Sequence, residues 1–498
     1  MNYTSTRNHR VSLSSAQAIA KGISPEGGLF VPQRVPLFEE GELRELTGLG
    51  YRERAKRILA KYLTDFTAEE IGRCVEGAYA AGKFSSPEVA GLHTLEPGVE
   101  ILELWRGPTC AFKDMALQLL PRLMTVSAEK TGSADKIAIL VATSGDTGKA
   151  ALEGFRDVPG TCILVFYPVD GVSPMQKLQM TTQEGSNVSA CAIKGNFDDA
   201  QNGVKAIFTD KAFEQRLAAR GISLSSANSI NWGRLVPQIV YYVSAYCDMV
   251  AKGAVAAGGK INIVVPTGNF GNILAAYYAG LMGVPVHRFV CASNSNNVLT
   301  EFLQTGRYNR NRAFYTTSSP SMDILISSNL ERLLYLLGDE DTLRVNQWMA
   351  ELASAGSYDV GRELTRKIGE RFSAGFCDDK GTAQTIREIF ETRGYLCDTH
   401  TAVALNVYMN YRKESGDQTP ALVASTANPF KFCASVLSAL RPELAAGSEF
   451  EMIEALESFT GIDCPPQLMN LRGKEERFTG SCSVGEMPGV VEQFLQIV

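Results

Sequence analysis

Ile261-Asn262-Ile263-Val264-Val265-Pro266-Thr267-Gly268-Asn269-Phe270-Gly271-Asn272 joins a β-branched run to a turn of glycine and asparagine, and a helical pattern starts at about Ile273. A buried strand that passes through a short glycine turn into a helix is the repeating unit of parallel sheets. The unit recurs on both sides of this stretch. Ile137–Ala142, Cys162–Phe166, Val188–Ile193, Val286–Cys291 and Ala421–Ser425 read as strands, with helical spacing between them, the longest from Leu235 to Lys252. This alternation predicts an α/β fold of mostly parallel sheet covered on both faces. In such folds ligands gather in loops beyond the carboxyl ends of the strands, so the chemistry is sought there.

Size and composition set the outer limits. A chain of 498 residues exceeds one ordinary core, and two or three domains are expected. Forty-eight basic residues against 54 acidic ones give a net charge of −6, with no basic block suited to nucleic acid. No apolar run is long enough to span a bilayer, so no membrane partner is expected. The 11 cysteines are scattered and contain no CxxC pair, which argues against a disulfide framework or a zinc site and for free thiols in a reducing cytoplasm. The four histidines, His9, His93, His287 and His400, show no metal-ligand spacing, and His400 reads as a capping or packing residue. Residues 1–95 read as an α-rich N-terminal domain with helices at Glu40–Leu46, Tyr51–Leu63 and Thr67–Tyr79, the last opened by a capping box of Thr67 and Glu70. Residues 96–260 and 261–460 divide the α/β region, with a helical insertion at about 301–395 in which 307–312 and 316–321 read as loop. Residues 461–498 form a weakly patterned tail.

Five loops carry candidate chemistry. After a strand at 101–105 comes Gly107-Pro108-Thr109-Cys110-Ala111-Phe112-Lys113-Asp114, leading into a helix expected over Met115–Met124. Lys113 sits at that handover among apolar neighbours. Burial lowers a lysine pKa and yields the neutral amine that Schiff-base chemistry needs, although a lone lysine at a helix start is more often simply solvated. The Gly268–Asn272 turn, with the helix start behind it, offers converging N–H groups for a phosphate; a plain tight turn would use the same residues. No Lys-Ser/Thr follows, so it is not a nucleotide P-loop. Thr143-Ser144-Gly145-Asp146-Thr147-Gly148 suits a carboxylate or phosphate, or simple capping. Its Asp-Thr-Gly has no second copy in the chain, which argues against an aspartic protease. Asn228-Ser229-Ile230-Asn231-Trp232-Gly233-Arg234 brings amides, a hydroxyl and a guanidinium ahead of the long helix. Ser425-Thr426-Ala427-Asn428-Pro429-Phe430-Lys431 ends a strand with two hydroxyls.

Together and in this order, the five loops resemble those of threonine synthase, a pyridoxal-phosphate enzyme of the tryptophan-synthase-β-like fold. Tyr3-Thr4-Ser5-Thr6-Arg7 and Glu26-Gly27-Gly28-Leu29-Phe30-Val31-Pro32 are similar to the longer, bacterial and fungal form. The resemblance implies two mostly parallel-sheet α/β domains of fold type II, with a small α-rich N-terminal domain. It implies Lys113 as the covalent anchor of pyridoxal 5'-phosphate, with Phe112, Asp146, Gly268, Asn269, Phe270, Gly271, Asn272 and Thr426 around the cofactor. Thr143, Ser144, Thr147, Asn228, Ser229, Asn231, Arg234 and Lys431 would bind the substrate, O-phospho-L-homoserine, which water converts to L-threonine and phosphate. A monomer or homodimer in the cytoplasm is expected. Asn428 stands where the family commonly has His, Phe430 where Ala is usual, and Thr399 where Pro is common. Two alternatives remain at this point: a phospho-lyase giving 2-oxobutyrate, and a non-catalytic binder of the cofactor or an amino acid.

Overall fold

The structure, a computed structural model, describes residues 1–143, 145–170 and 172–496. Two sheets organise it. The larger has six strands in the order Phe372–Phe376, Val286–Ser293, Ile261–Pro266, Ala421–Ser425, Val99–Glu103, Gly91–Glu96. All neighbours are parallel except the last two, which form a hairpin. Ile261–Pro266 lies near the middle, flanked by Val286–Ser293 and Ala421–Ser425, and is buried along its whole length. A strand covered on both faces has no use for alternation, and its continuous apolar run reflects that. The smaller sheet has five parallel strands in the order Ser481–Cys482, Val188–Ile193, Thr161–Pro168, Lys136–Ala142, Ile222–Ser225. This is the α/β architecture that the alternating pattern predicts.

The chain departs from the sequence reading at several places, each with a local cause. The single helix expected over 115–124 is two, Lys113–Leu117 and Leu120–Lys130. Pro121 has no N–H to continue the ladder and sits instead in the first turn of the second helix. The segment 307–312 is not all loop, because Arg307–Asn309 pairs antiparallel with Ser357–Asp359. Residues 461–498 hold the helix Met487–Leu495 and the edge strand of the smaller sheet. That strand is only two residues long, too short to leave a periodic signal. The N-terminal region carries, besides its helices, a three-stranded antiparallel sheet of Tyr3–Ser5, Asn8–Leu13 and Phe30–Pro32. The capping box of Thr67 and Glu70 is present as read. All 11 cysteines are free and buried. Among the described residues no helix is long and apolar enough to cross a membrane.

Helix Trp232–Ala251 is buried on nearly every side and passes between the N-terminal helices and the sheets. An all-round apolar helix is a core element. Its first turn fixes Arg234. The N-terminal motif supports the site from further away. Arg7 Nη2 donates to Glu331 Oε2 at 2.7 Å and Arg7 Nε to Oε1 at 2.9 Å, while Thr6 Oγ1 donates to Oε1 at 2.6 Å. Glu331 opens helix Leu330–Leu337, and Asn329 just before it donates from its backbone N to Asn269 O at 3.1 Å. Arg7→Ala leaves the buried Glu331 carboxylate without its bidentate partner. An unfolding free energy lower by about 2–4 kcal/mol in urea is expected; an unchanged midpoint would show the clamp to be idle.

Candidate active site

Lys113 is the first residue of its helix, 9% exposed, with its amine in a crowded position. Nζ lies 3.2 Å from Ser321 Oγ, 3.7 Å from Asp146 Oδ2 and 4.9 Å from the centroid of the half-buried Phe112 ring. Burial pulls the amine below the ordinary lysine value; the Asp146 charge opposes this, and the Lys431 and Arg234 cations add to it. The loop before it is held by Asp114, whose carboxylate accepts from Thr109 N at 2.8 Å and Thr109 Oγ1 at 2.7 Å. Gly107 makes this possible, since a Cβ there would lie 2.5 Å from the Asp114 carboxylate. Burial pushes the Asp114 carboxyl up to about 6 in spite of these bonds. Phe112 N donates to Thr426 O at 2.8 Å, and Asn428 N to Cys110 O at 3.1 Å, so the loop is laced to the end of strand Ala421–Ser425. The backbone of Thr426 is thereby tied to the residue that precedes Lys113.

Asp146 arrives from the smaller sheet at the start of helix Asp146–Phe155. That helix lies close against the helix of Lys113 because Gly154 has no side chain: a Cβ there would meet Leu117 O at 2.0 Å. Asp146 Oδ1 accepts from Lys431 Nζ at 2.7 Å and from Gln176 Nε2 at 3.1 Å. Burial alone would raise this carboxyl, but the Lys431 and Lys113 cations outweigh it and hold it below the usual carboxylate range. Lys431 has no exposed side-chain surface and also donates to Thr109 O at 2.9 Å. It is the counter-ion of Asp146.

The glycine turn keeps its donors open. Phe270 takes a left-handed φ of 62° and starts helix Gly271–Met282. The backbone N–H groups of residues 269–273 have no backbone acceptor among the described residues. Asn272 Oδ1 accepts from Tyr241 and Tyr242 hydroxyls, each at 2.6 Å, while its buried Nδ2 has no partner among the described residues. Gly268 is required by close approach, since a Cβ would come within 2.6 Å of Ser321 O. Asn269 Oδ1 accepts from Ser328 Oγ at 3.3 Å, and Ser328 meets Ser229 at 3.3 Å, which joins the 228–234 segment to the turn. Arg234 is 4% exposed. Its Nη1 donates to Ala227 O at 2.5 Å, its Nε is buried without a partner, and no carboxylate pairs with it among the described residues. Burial pulls the guanidinium down to about 10, which leaves it a cation at neutral pH. A buried cation and open backbone N–H groups with no anionic partner among the described residues fit an anionic ligand. Beside a buried amine, they fit pyridoxal 5'-phosphate.

Other expected residues divide. Thr147 and Ser229 are half-buried and Asn228 is exposed, all in the loops named. Thr143 Oγ1 accepts from Gly145 N and Gly148 N, each at 3.0 Å, so it shapes its loop. Ser144 lies outside the described residues. Asn231 is committed to structure: Oδ1 accepts from Gly233 N at 2.8 Å as a helix cap and Nδ2 donates to Ile19 O at 3.0 Å. Asn428 also caps, accepting from Phe430 N at 3.0 Å. The sequence reading missed Ser321, Gln176 and Ser328, and passed over His400. Ser321 lay in a stretch read as plain loop. For His400 the spacing Asp398-Thr399-His400 was the available signal.

The sheets, the lysine at a strand-to-helix handover and the open glycine turn define the class: residues 95–426 match the family described as pyridoxal-phosphate dependent enzyme. Residues 2–79 match the threonine synthase N terminus and residues 401–483 the threonine synthase C-terminal family. The chain is 37% identical over 480 residues to threonine synthase from Pseudomonas aeruginosa, covering 96% of this chain and 95% of that one. A crystal structure of pyridoxal-phosphate-bound threonine synthase from Brucella melitensis superposes with a TM-score of 0.88 at 36% identity, covering 99% of each chain. The chain therefore belongs to the threonine synthase family. It is also 40% identical over 461 residues to threonine synthase-like 1 of Homo sapiens, covering 91% of this chain and 61% of the length of that relative.

Proposed function

We propose that the chain converts O-phospho-L-homoserine and water to L-threonine and phosphate, using pyridoxal 5'-phosphate bonded to Lys113. The observation that carries this reading is a buried amine, Lys113, near enough to a buried guanidinium without an acidic partner, Arg234, for that cation to help lower its pKa. Bound there, the cofactor supplies an electron sink for the carbon atoms of the amino acid. Gly268, Asn269, Phe270, Gly271 and Asn272 would hold its phosphate, Thr426 would meet its ring nitrogen, and Phe112 and Asp146 would flank it. A hydroxyl at the ring nitrogen cannot keep a proton there as a carboxylate would. Arg234, Asn228, Ser229, Thr147 and the loop shaped by Thr143 would take the carboxylate and phosphate of the substrate. The reaction needs protons removed at Cα and Cβ while phosphate leaves Cγ, a proton returned to Cγ, the hydroxyl of water added at Cβ with its proton passing to the released phosphate, and a proton returned to Cα. A lysine whose pKa is lowered by burial is suited to both taking and returning protons. Asn231 and Lys431 would act indirectly, by fixing the helix of Arg234 and the carboxylate of Asp146.

Incubation of the protein with pyridoxal 5'-phosphate and O-phospho-L-homoserine should release L-threonine and phosphate in equal amounts. 2-Oxobutyrate as the main product would replace this reading with the phospho-lyase one. No turnover in a protein that binds the cofactor would favour the non-catalytic one. Arg234→Ala should raise KM for O-phospho-L-homoserine by about 10-fold or more, because a charge-assisted bond to an oxyanion is lost. An unchanged KM would assign Arg234 to the fold.

A further inference from the structure

Ser321 lies in the short turn Pro320–Met322, which is pinned from two sides through its backbone. Ser321 O packs against Gly268, where a Cβ would come within 2.6 Å. On the other side Ser321 N donates to His400 Nε2 at 3.2 Å. His400 is 2% exposed, and its Nδ1 lies 2.7 Å from Asp398 Oδ2. Asp398 also accepts from His400 N at 3.0 Å and Thr401 N at 3.1 Å, and so it caps helix Thr399–Ser415. These bonds settle the tautomer. A carboxylate only accepts, so Nδ1 carries the hydrogen; Nε2 is then the bare nitrogen able to accept from Ser321 N. The Phe432 ring closes over the imidazole edge-on, 4.9 Å between centroids. With the backbone of Ser321 held in this way, its hydroxyl meets Lys113 Nζ at 3.2 Å, closer than Asp146 at 3.7 Å.

We propose that Ser321 is a catalytic residue that holds the Lys113 amine whenever it is not bonded to the cofactor, with His400 and Asp398 as its positioning residues. This rests on the reading of Lys113 given above. A lysine freed during turnover swings on four methylenes, and a fixed acceptor confines it to the geometry from which it exchanges protons. The hydroxyl does this without adding a charge. The charged groups that face Lys113 are Asp146, Lys431 and Arg234.

Two measurements test the proposal. With O-phospho-L-homoserine, Ser321→Ala should lower kcat about 10- to 100-fold with KM within about 2-fold, while Ser321→Thr, which keeps a hydroxyl, should retain most of the activity. His400→Gln should retain more activity than His400→Leu, because only the glutamine still offers an acceptor to Ser321 N. The contacts that pin the turn are made by Ser321 backbone atoms, so Ser321→Ala should fold, and circular dichroism checks this. The second measurement needs no turnover. The apoprotein is mixed with pyridoxal 5'-phosphate across a pH series, and formation of the bond to Lys113 is followed by visible absorbance. A hydroxyl that accepts from the ammonium favours the charged form, so the midpoint should move to lower pH in Ser321→Ala and stay in place in Ser321→Thr. Wild-type kcat and an unmoved midpoint in Ser321→Ala would overturn the proposal and leave the reading of Lys113 standing. A wild-type protein that forms the bond but makes no threonine would instead overturn the reaction, and the shifted midpoint would still support Ser321.

Discussion

Lys113→Ala will reduce threonine formation by about 10⁴-fold or more, because one residue supplies both the covalent anchor and the proton-transferring amine. The visible absorbance of the bound cofactor will disappear with it. The fold should survive. Asp146 keeps Lys431 at 2.7 Å, so no buried carboxylate is orphaned by the change. The amine that is lost is one that burial already disfavours in its charged form. Phosphate release, absorbance and a thermal melt on one preparation check all three statements. Turnover close to that of the wild type would remove Lys113 from the mechanism, and a collapsed melt would make it structural.

Asp146→Asn is expected to have the largest effect on stability. Lys431 is completely enclosed, and Asp146 is its ion-pair partner; Thr109 O would be left as its recorded acceptor. Removing one member of a buried ion pair costs about 3–5 kcal/mol, well above a typical surface pair. The pH dependence has a defined sign. The carboxyl in the folded protein sits below its ordinary value of 3.8, so its stabilisation is complete above that value and is lost as pH falls toward the lower folded one. Urea midpoints measured across the acid range should therefore fall for the wild type. This component should be missing in Asp146→Asn, which starts lower. Equal stability of the two proteins at neutral pH would mean that Lys431 finds another partner or gives up its proton.

The parts of the site legible in the sequence are those whose chemistry lies within one loop. Gly268–Asn272 is legible as a candidate anion turn because glycine and asparagine at a strand-to-helix junction free backbone N–H groups, although a plain tight turn would use the same residues. The position of Lys113 is legible because strand, turn and helix start are all local, but its candidate role needed the other four loops. Lys431, Asn231 and His400 were harder, since each has a partner elsewhere in the chain. Lys431 reads as a spare cation until Asp146 is placed beside it. Asn231 reads as a ligand or a cap until its Nδ2 is found on Ile19 O. His400 reads as packing until Ser321 is found against its free nitrogen. The tail was illegible because its strand is two residues long and takes its hydrogen bonds from Val188–Ile193.

The sequence by itself determined the class of fold, because hydrophobic periodicity acts over a few residues, and it singled out Lys113 as the candidate anchor only through the resemblance of five loops taken together. Only the tertiary structure decided how that lysine is held. Ser321 lies 208 residues from Lys113, and His400 a further 79 from Ser321. Hydrogen bonds across such separations leave no periodic trace along the chain. They depend on close approach: helix Asp146–Phe155 meets helix Lys113–Leu117 at Gly154, and the turn of Ser321 meets the glycine turn at Gly268, where in each case a Cβ would collide with a backbone oxygen.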